Sequence, residues 1–211
     1  MKSAGESNPS ERQKPIYRDT NLQILFGIIL TAILGVAVIT PAFPRIVQEL
    51  NISTQDVGLL ITVFAFPSVI LSLILGVLAD RFGRKKILVP SLMLFGIAGG
   101  ACAFARDFNL LLALRFVQGI GAASLFFLTI TIIGDLFSGK ERTTAMGYYA
   151  SVLSVGTASY PAIGGALAML GWYYPFILSI IAIPVGLLVL FSLKNPEPRR
   201  EQHLKEYLGN V

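Results

Sequence analysis

Apolar residues in this chain come in long blocks, with polar residues in short clusters between them. Six blocks are long enough to cross a bilayer as helices: residues 22–44, 57–79, 87–104, 108–133, 145–170 and 172–193. A helix rises ~1.5 Å per residue, so about 20 apolar residues match the hydrocarbon thickness. The pattern therefore predicts an all-α membrane protein, a bundle of six transmembrane helices. Only Ala105, Arg106 and Asp107 separate the third and fourth blocks, which makes those two helices antiparallel neighbours. Pro41 and Pro44, in TPAFP, mark the end of the first span, and Pro67, Pro161 and Pro184 are candidate kinks in later ones.

Composition agrees. Of 211 residues, 54% are hydrophobic and 14% charged, and the mean hydropathy of +0.70 exceeds what a soluble domain keeps in water. The basic residues add a direction. Lys2, Arg12, Lys14 and Arg18 precede the first span, and Arg81, Arg84, Lys85 and Lys86 fall between the second and third. Lys140 and Arg142 fall between the fourth and fifth, and Lys194, Arg199, Arg200 and Lys205 follow the sixth. The opposite side has Arg45 and Arg106, while Arg115 lies inside the fourth span. Lys and Arg concentrate on the cytoplasmic side. Residues 1–20 and 195–211 are therefore expected to be cytoplasmic tails flanking a bundle over 21–194 in the cell membrane. The first tail has no apolar core before a cleavage site, so no cleaved signal peptide is read there. The net charge of +5 is accounted for by basic loops facing an anionic leaflet. No interleaving of basic and aromatic residues points to nucleic acid.

Groups for catalysis or metal binding are scarce. The single cysteine, Cys102, lies in an apolar block, and the single histidine, His203, in the C-terminal tail. No metal cluster, Ser/His/Asp set or phosphate-binding G-x-x-x-x-G-K-[ST] loop can be assembled. Neither an enzyme, an ATP-driven pump, a resident cofactor nor a metal is expected. Asp56, Asp80 and Asp135 stand at span ends, and no Asp or Glu lies deep in a span. Proton-coupled carriers use an intramembrane carboxylate. Either that group is supplied from outside this sequence, or Asp56 reaches inward, or coupling is not to protons.

Three segments have more grammar than hydropathy alone. GVLADRFGRKK (76–86) can be read as a plain topology signal. Its glycines also permit a sharp turn and close approach, and an acid beside guanidinium groups suits an ion pair. LALRFVQGIGAA (112–123) puts Arg115 and Gln118 three apart on one helical face. The fifth span carries Gly147, Gly156, Pro161, Gly164 and Gly165.

In this order the segments resemble three signatures of the major facilitator superfamily. The first matches through Gly76, Leu78, Asp80, Arg81, Gly83, Arg84 and Lys85. The second matches through Arg115, Gln118, Gly119, Gly121, Ala122 and Ala123. The third is similar to the superfamily's antiporter motif, with Tyr160 where the pattern has glycine. The resemblance covers 22–193 and is to the N-terminal half of a twelve-helix transporter, which implies a bundle of two three-helix repeats. It also implies that Gly76, Asp80, Arg81, Gly83, Arg84 and Asp135 form a conformational latch stabilising an outward-open state. In it Arg84 meets an acid such as Asp135, and Asp80 docks on a helix N-terminus of the other half. The activity implied is secondary active transport by alternating access, with proton-coupled efflux of drugs or small metabolites. An uptake carrier is an alternative, as is a non-transporting remnant or assembly partner.

Arg115 is the charge inside a span, where an arginine costs about 2.5 to 3.5 kcal/mol on insertion scales. It must face protein or a water-filled cavity, unless it snorkels to the outer interface ~10 Å away. Its shared face with Gln118 favours a cavity on the substrate or proton pathway. The fifth-span glycines, and Gly96 and Gly100 in the third, also allow helices to approach closely. Expected partners are a small-molecule substrate, protons and the lipid bilayer. Because parallel halves of such a carrier enclose the site at their interface, a C-terminal half or a second copy is expected too. The charged segment after Leu193 resembles the central loop of these transporters, so the chain reads as a truncated product or a half-size carrier that dimerises.

Overall fold

The computed structural model describes residues 16–193; the tail segments 1–15 and 194–211, and the basic residues expected there, lie outside the described residues. Six helices are long and apolar enough to cross a membrane: α1 (Thr20–Glu49), α2 (Asp56–Phe82), α3 (Arg84–Cys102), α4 (Phe108–Leu136), α5 (Gly139–Leu170) and α6 (Tyr174–Ser192). All regular structure among the described residues is helical.

The local sequence marks two equivalent halves. Asp19 caps α1 by accepting the backbone N–H groups of Asn21 and Leu22 at 2.8 and 3.3 Å, and Asp107 caps α4 by accepting that of Leu110 at 3.0 Å. α2 ends at Gly83 and α5 at Gly171, and a new helix starts within three residues of each. Gly76 and Gly164 precede these turns by the same interval. Every one of these pairs is 88 positions apart in the chain, which defines repeats α1–α3 and α4–α6. Gly83 has φ 99°, a conformation that a side chain strains against, so the α2–α3 turn requires glycine there.

Packing sorts the helices by depth. α1 and α4 lie inside, whereas α2 and α5 are largely exposed. On α2, Phe66, Val69, Leu73 and Val77 form one outward face, each 61–79% exposed. In a bilayer such a face meets lipid or another bundle. The buried apolar residues form two clusters. One runs from Leu22 through Ile33, Phe95, Ala122 and Ala182, the other from Ile39 through Cys102, Leu111 and Phe176. Between them along α1, α3, α4 and α6 come Gly35, Gly99, Arg115, Gln118 and Ser179.

Several boundaries differ from the hydropathy reading. The regular part of α1 stops at Ala37, before Pro44, because Pro41 has no N–H for the Ala37 carbonyl; the chain then winds on through Thr40–Ala42 and Phe43–Glu49. α3 begins at Arg84 rather than at residue 87, and α5 at Gly139 rather than 145, since the first turns of both are polar and hydropathy cannot register them. α4 reaches Leu136 but breaks at Ala123–Ser124. There the Ala123 N–H turns to the Ile120 carbonyl, and Ser68 Oγ on α2 donates to the Gly119 carbonyl at 2.8 Å. α6 tightens to a 3-10 turn at Leu178–Ile181, because Pro184 gives no donor to the Ile180 carbonyl. α2 and α5 continue through Pro67 and Pro161 as unbroken helices.

α1 and α5 touch most closely at Gly164, where an added Cβ would run into the Val38 carbonyl oxygen and lie 2.7 Å from its carbon. Gly147, on the same helix, faces open space. Gly164→Ala should lower the thermal unfolding midpoint in detergent by several degrees, an overpacking loss of about 1–3 kcal/mol. Gly147→Ala should leave it unchanged or raise it, as removal of a helical glycine does.

Candidate functional sites

The charged turn after α2 assembles an ion-pair cluster. Arg84 opens α3, its side chain about 10% exposed, and turns back across α4: Nε lies 2.7 Å from Asp135 Oδ2 and Nη2 lies 3.2 Å from Asp80 Oδ1. Gly83 makes this reversal possible. Gly76, one turn region earlier on α2, packs on the Phe127 ring, which an added Cβ would approach to 3.1 Å. Lys85 Nζ donates to the Leu193 carbonyl at 3.2 Å, tying the same turn to the end of α6. Arg81 stays exposed beside the Phe82 ring and does not join the cluster. Asp80, Arg84 and Asp135 are thus brought together, with Gly76 and Gly83 setting the backbone.

The middle of the bundle holds a buried polar layer. Arg115 is 1% exposed and Gln118 fully buried, so Arg115 does not snorkel to the interface. Arg115 Nη1 donates to the Gly35 carbonyl on α1 at 3.0 Å and to Gln118 Oε1 at 2.6 Å, and Gln118 Nε2 donates to Ser179 Oγ on α6 at 3.2 Å. A Cβ on Gly99 of α3 would collide with Gln118 Nε2 and Ser179, so the bridge needs glycine there. The guanidinium sits against two aromatic faces, 4.8 Å from the Phe176 centroid and 5.5 Å from that of Phe64.

Next to this layer lies a cavity of about 560 Å³, lined by Ile33 and Val36 of α1, Phe64 of α2, Phe126 of α4 and Thr157 and Pro161 of α5, with no charged residue in its wall. Arg115 is not among the lining residues. Phe64 is, and it contacts both the cavity and the guanidinium. A volume of this size lies within the range of ligand pockets, about 300–1,000 Å³.

The α5 motif is split by the fold. Gly156 packs against Leu30 and Ile33 of α1, where a Cβ would lie 3.0 Å from their methyl carbons, and Gly164 against Val38. Gly165 faces Pro41 at 3.7 Å, and Pro161 lines the cavity. Gly147 touches none of these. Tyr160, which replaces the motif's glycine, turns into a smaller groove between α1, α5 and α6 alongside Gly27 and Val185. Its bulk therefore does not separate α1 from α5. Sequence reasoning missed Gly35, Phe64, Phe176 and Ser179, because a lone small residue or one phenylalanine among 14 carries no signal of what it will face.

The fold is that of an all-helical bundle whose six long apolar helices are each able to cross a membrane. The human organic anion transporter MFSD10 (TETRAN) superposes with a TM-score of 0.73 at 19% identity, over 87% of this chain and 49% of that one. A bacterial homologue of the human lysosomal transporter Spinster, inward-facing and occupied, superposes with a TM-score of 0.72 at 23% identity, over 93% and 48%. The chain belongs to the Major Facilitator Superfamily, whose sequence pattern matches residues 25–208. It is 34% identical to the bacillibactin exporter of Bacillus subtilis (strain 168) over 163 residues, 74% of this chain and 40% of that protein. It is 31% identical to multidrug resistance protein 1 of the same organism over 185 residues, 87% and 48%. With the quinolone resistance protein NorA of Staphylococcus aureus it shares 26% over 189 residues, 88% and 49%. The chain spans about half the length of the curated relatives it matches.

The Arg84–Asp135 pair is partly buried, with side-chain exposures of 10% and 26%. Arg84→Ala and Asp135→Ala should each destabilise the bundle by more than the ~0.2–1 kcal/mol of an exposed pair and less than the ~3–5 kcal/mol of a fully buried one. Unfolding curves of the double variant should show little further loss; additive losses would mean that the two residues act separately.

Proposed function

We propose that this chain forms the N-terminal six-helix half of a secondary active transporter that exports drugs or small metabolites by alternating access, with protons as the driving ion. The observation that carries the reading is the uncharged cavity of about 560 Å³ among α1, α2, α4 and α5, with a buried polar layer directly behind its Phe64 wall. Relatives named as exporters and resistance proteins support the direction of transport. A second six-helix bundle, joined to this one or supplied as a second copy, covers the open side of the cavity and the outward faces of α2 and α5. No Asp or Glu lines the cavity described here, so the carboxylate that carries protons belongs to that second bundle.

In this reading Arg115 and Gln118 lie on the substrate or proton pathway. The Asp80–Arg84–Asp135 cluster, with Gly76, Arg81 and Gly83, is the latch that holds one end of the carrier closed. Gly156, Pro161, Gly164 and Gly165 keep α1 and α5 together against leakage as the bundle rocks, with Gly147 at the far end of the motif. The latch end is cytoplasmic, as the basic residues of the loops favour.

Proteoliposomes test both parts. With a second half supplied, a proton gradient should drive accumulation of a fluorescent drug, and Arg115→Ala should abolish it at unchanged protein abundance. Absence of flux with either kind of second bundle would leave a non-transporting membrane protein. A cysteine placed at Asn51 should react with an impermeant label only from outside intact cells, and one at Ser3 or Gln202 only from the cytoplasm; the reverse pattern overturns the orientation.

A further inference from the structure

The buried guanidinium of Arg115 is only partly engaged. Nη1 makes both of its hydrogen bonds, whereas Nε and Nη2 are shut off from solvent without a hydrogen-bond partner. No carboxylate among the described residues forms an ion pair with it. Gln118 cannot turn to serve these donors, because its Oε1 faces Nη1 and its Nε2 is held by Ser179 over Gly99. A buried cation with idle donors is costly, and π-faces compensate it only weakly.

The two rings against it are backed differently. Behind Phe176 stands Trp172, edge-on at 6.1 Å, and behind Trp172 the Arg106 guanidinium at 5.8 Å. That wall is packed through to the loop between α3 and α4. Phe64, by contrast, has the open cavity on one side. It also meets the Phe95 ring close to edge-on at 6.4 Å, so the cavity is the side on which it is not backed by packed rings.

We infer that Phe64 is a movable cover over an anion subsite, in which Arg115 Nε and Nη2 receive the carboxylate, or a similar planar oxyanion, of an otherwise apolar substrate. The inference rests on the proposed transport role of the cavity. Nε–H and the adjacent Nη2–H share one edge of the guanidinium, the geometry that takes two carboxylate oxygens side by side. The cavity wall supplies apolar surface for the body of such a molecule, with Thr40 and Thr157 as its hydroxyls. The anion would give the two idle donors acceptors and the buried charge a partner.

The test uses three probes with one aromatic body: anthracene-9-carboxylate, anthracene-9-methanol and 9-(aminomethyl)anthracene. Each is titrated into the purified chain in lipid nanodiscs, and binding is counted as the part that Thr157→Trp, which fills the cavity, removes. The carboxylate should bind about tenfold more tightly than the alcohol, the scale of one charge-assisted hydrogen bond, and the ammonium most weakly. Arg115→Gln, with folding checked by its elution volume and helical circular dichroism, should erase the preference, and Arg115→Lys should restore part of it. Phe64→Ala should raise the association rate of the carboxylate by a larger factor than that of the alcohol, and an equal change in both overturns Phe64 as the cover. Equal affinity for carboxylate and alcohol, or a preference that survives Arg115→Gln, overturns the anion subsite and leaves the cavity reading standing. Absence of any binding that Thr157→Trp removes overturns the subsite and the cavity reading together.

Discussion

The bundle is arranged around a positive charge that neither water nor hydrocarbon surrounds. Arg115 sits between two apolar clusters, and its surroundings answer it from four helices: the Gly35 carbonyl of α1, the Phe64 ring of α2, Gln118 of α4 and the Phe176 ring of α6. α3 contributes by what it lacks, since any side chain at Gly99 would displace Gln118 or Ser179. A buried polar network fixes the rotation of every helix it touches, because each member left unpaired in a low-dielectric interior is heavily penalised. Apolar packing alone would tolerate several rotations of these helices, and this layer restricts them.

A glycine ends a long helix at each end of the bundle, Gly83 at φ 99° and Gly171 in extended backbone, with different chemistry beside each. The residue that follows the glycine is the anchor: Arg84 at one end, Trp172 at the other. Arg84 meets Asp80 and Asp135, while Trp172 meets Phe176 and stacks under Arg106, whose guanidinium also lies 4.8 Å from the Tyr173 ring. An ion pair with one exposed partner weakens with salt and changes partners readily. Aromatic packing around a buried indole is less responsive to the solvent. The ionic end is accordingly the one more responsive to salt, and the aromatic end holds Phe176 behind Arg115.

Cavity and close contacts occupy the same seam. α1 and α5 meet at Gly156 and Gly164, and the cavity opens beside that line, at Ile33, Val36, Thr157 and Pro161. Close approach at these two glycines makes the seam thin, so motion of α5 relative to α1 would change the cavity directly. Tyr160 leaves the seam intact by leaning toward α6.

Much of this was legible in the sequence, for local reasons. Hydropathy gave six spans because membrane insertion depends on a sum over about 20 neighbouring residues. The charged turn, with Gly76 and Gly83 in it, is likewise a property of one short segment. The type of residue at Arg84, Asp135, Arg115 and Gln118 announced that each needs a partner, since a charge or amide within or beside hydrocarbon cannot stand alone. Which partner each found was decided only in three dimensions. Arg84 and Asp135 are 51 positions apart, and Arg115 and Gly35 are 80, distances over which no periodicity carries information. The break in α4, the placement of Phe64 between cavity and guanidinium, and the vacancy that Gly99 leaves for Gln118 all follow from how one helix turns against another. Such rotation is set by the joint fit of side chains from separate segments, and for that reason it is absent from any one segment of the sequence.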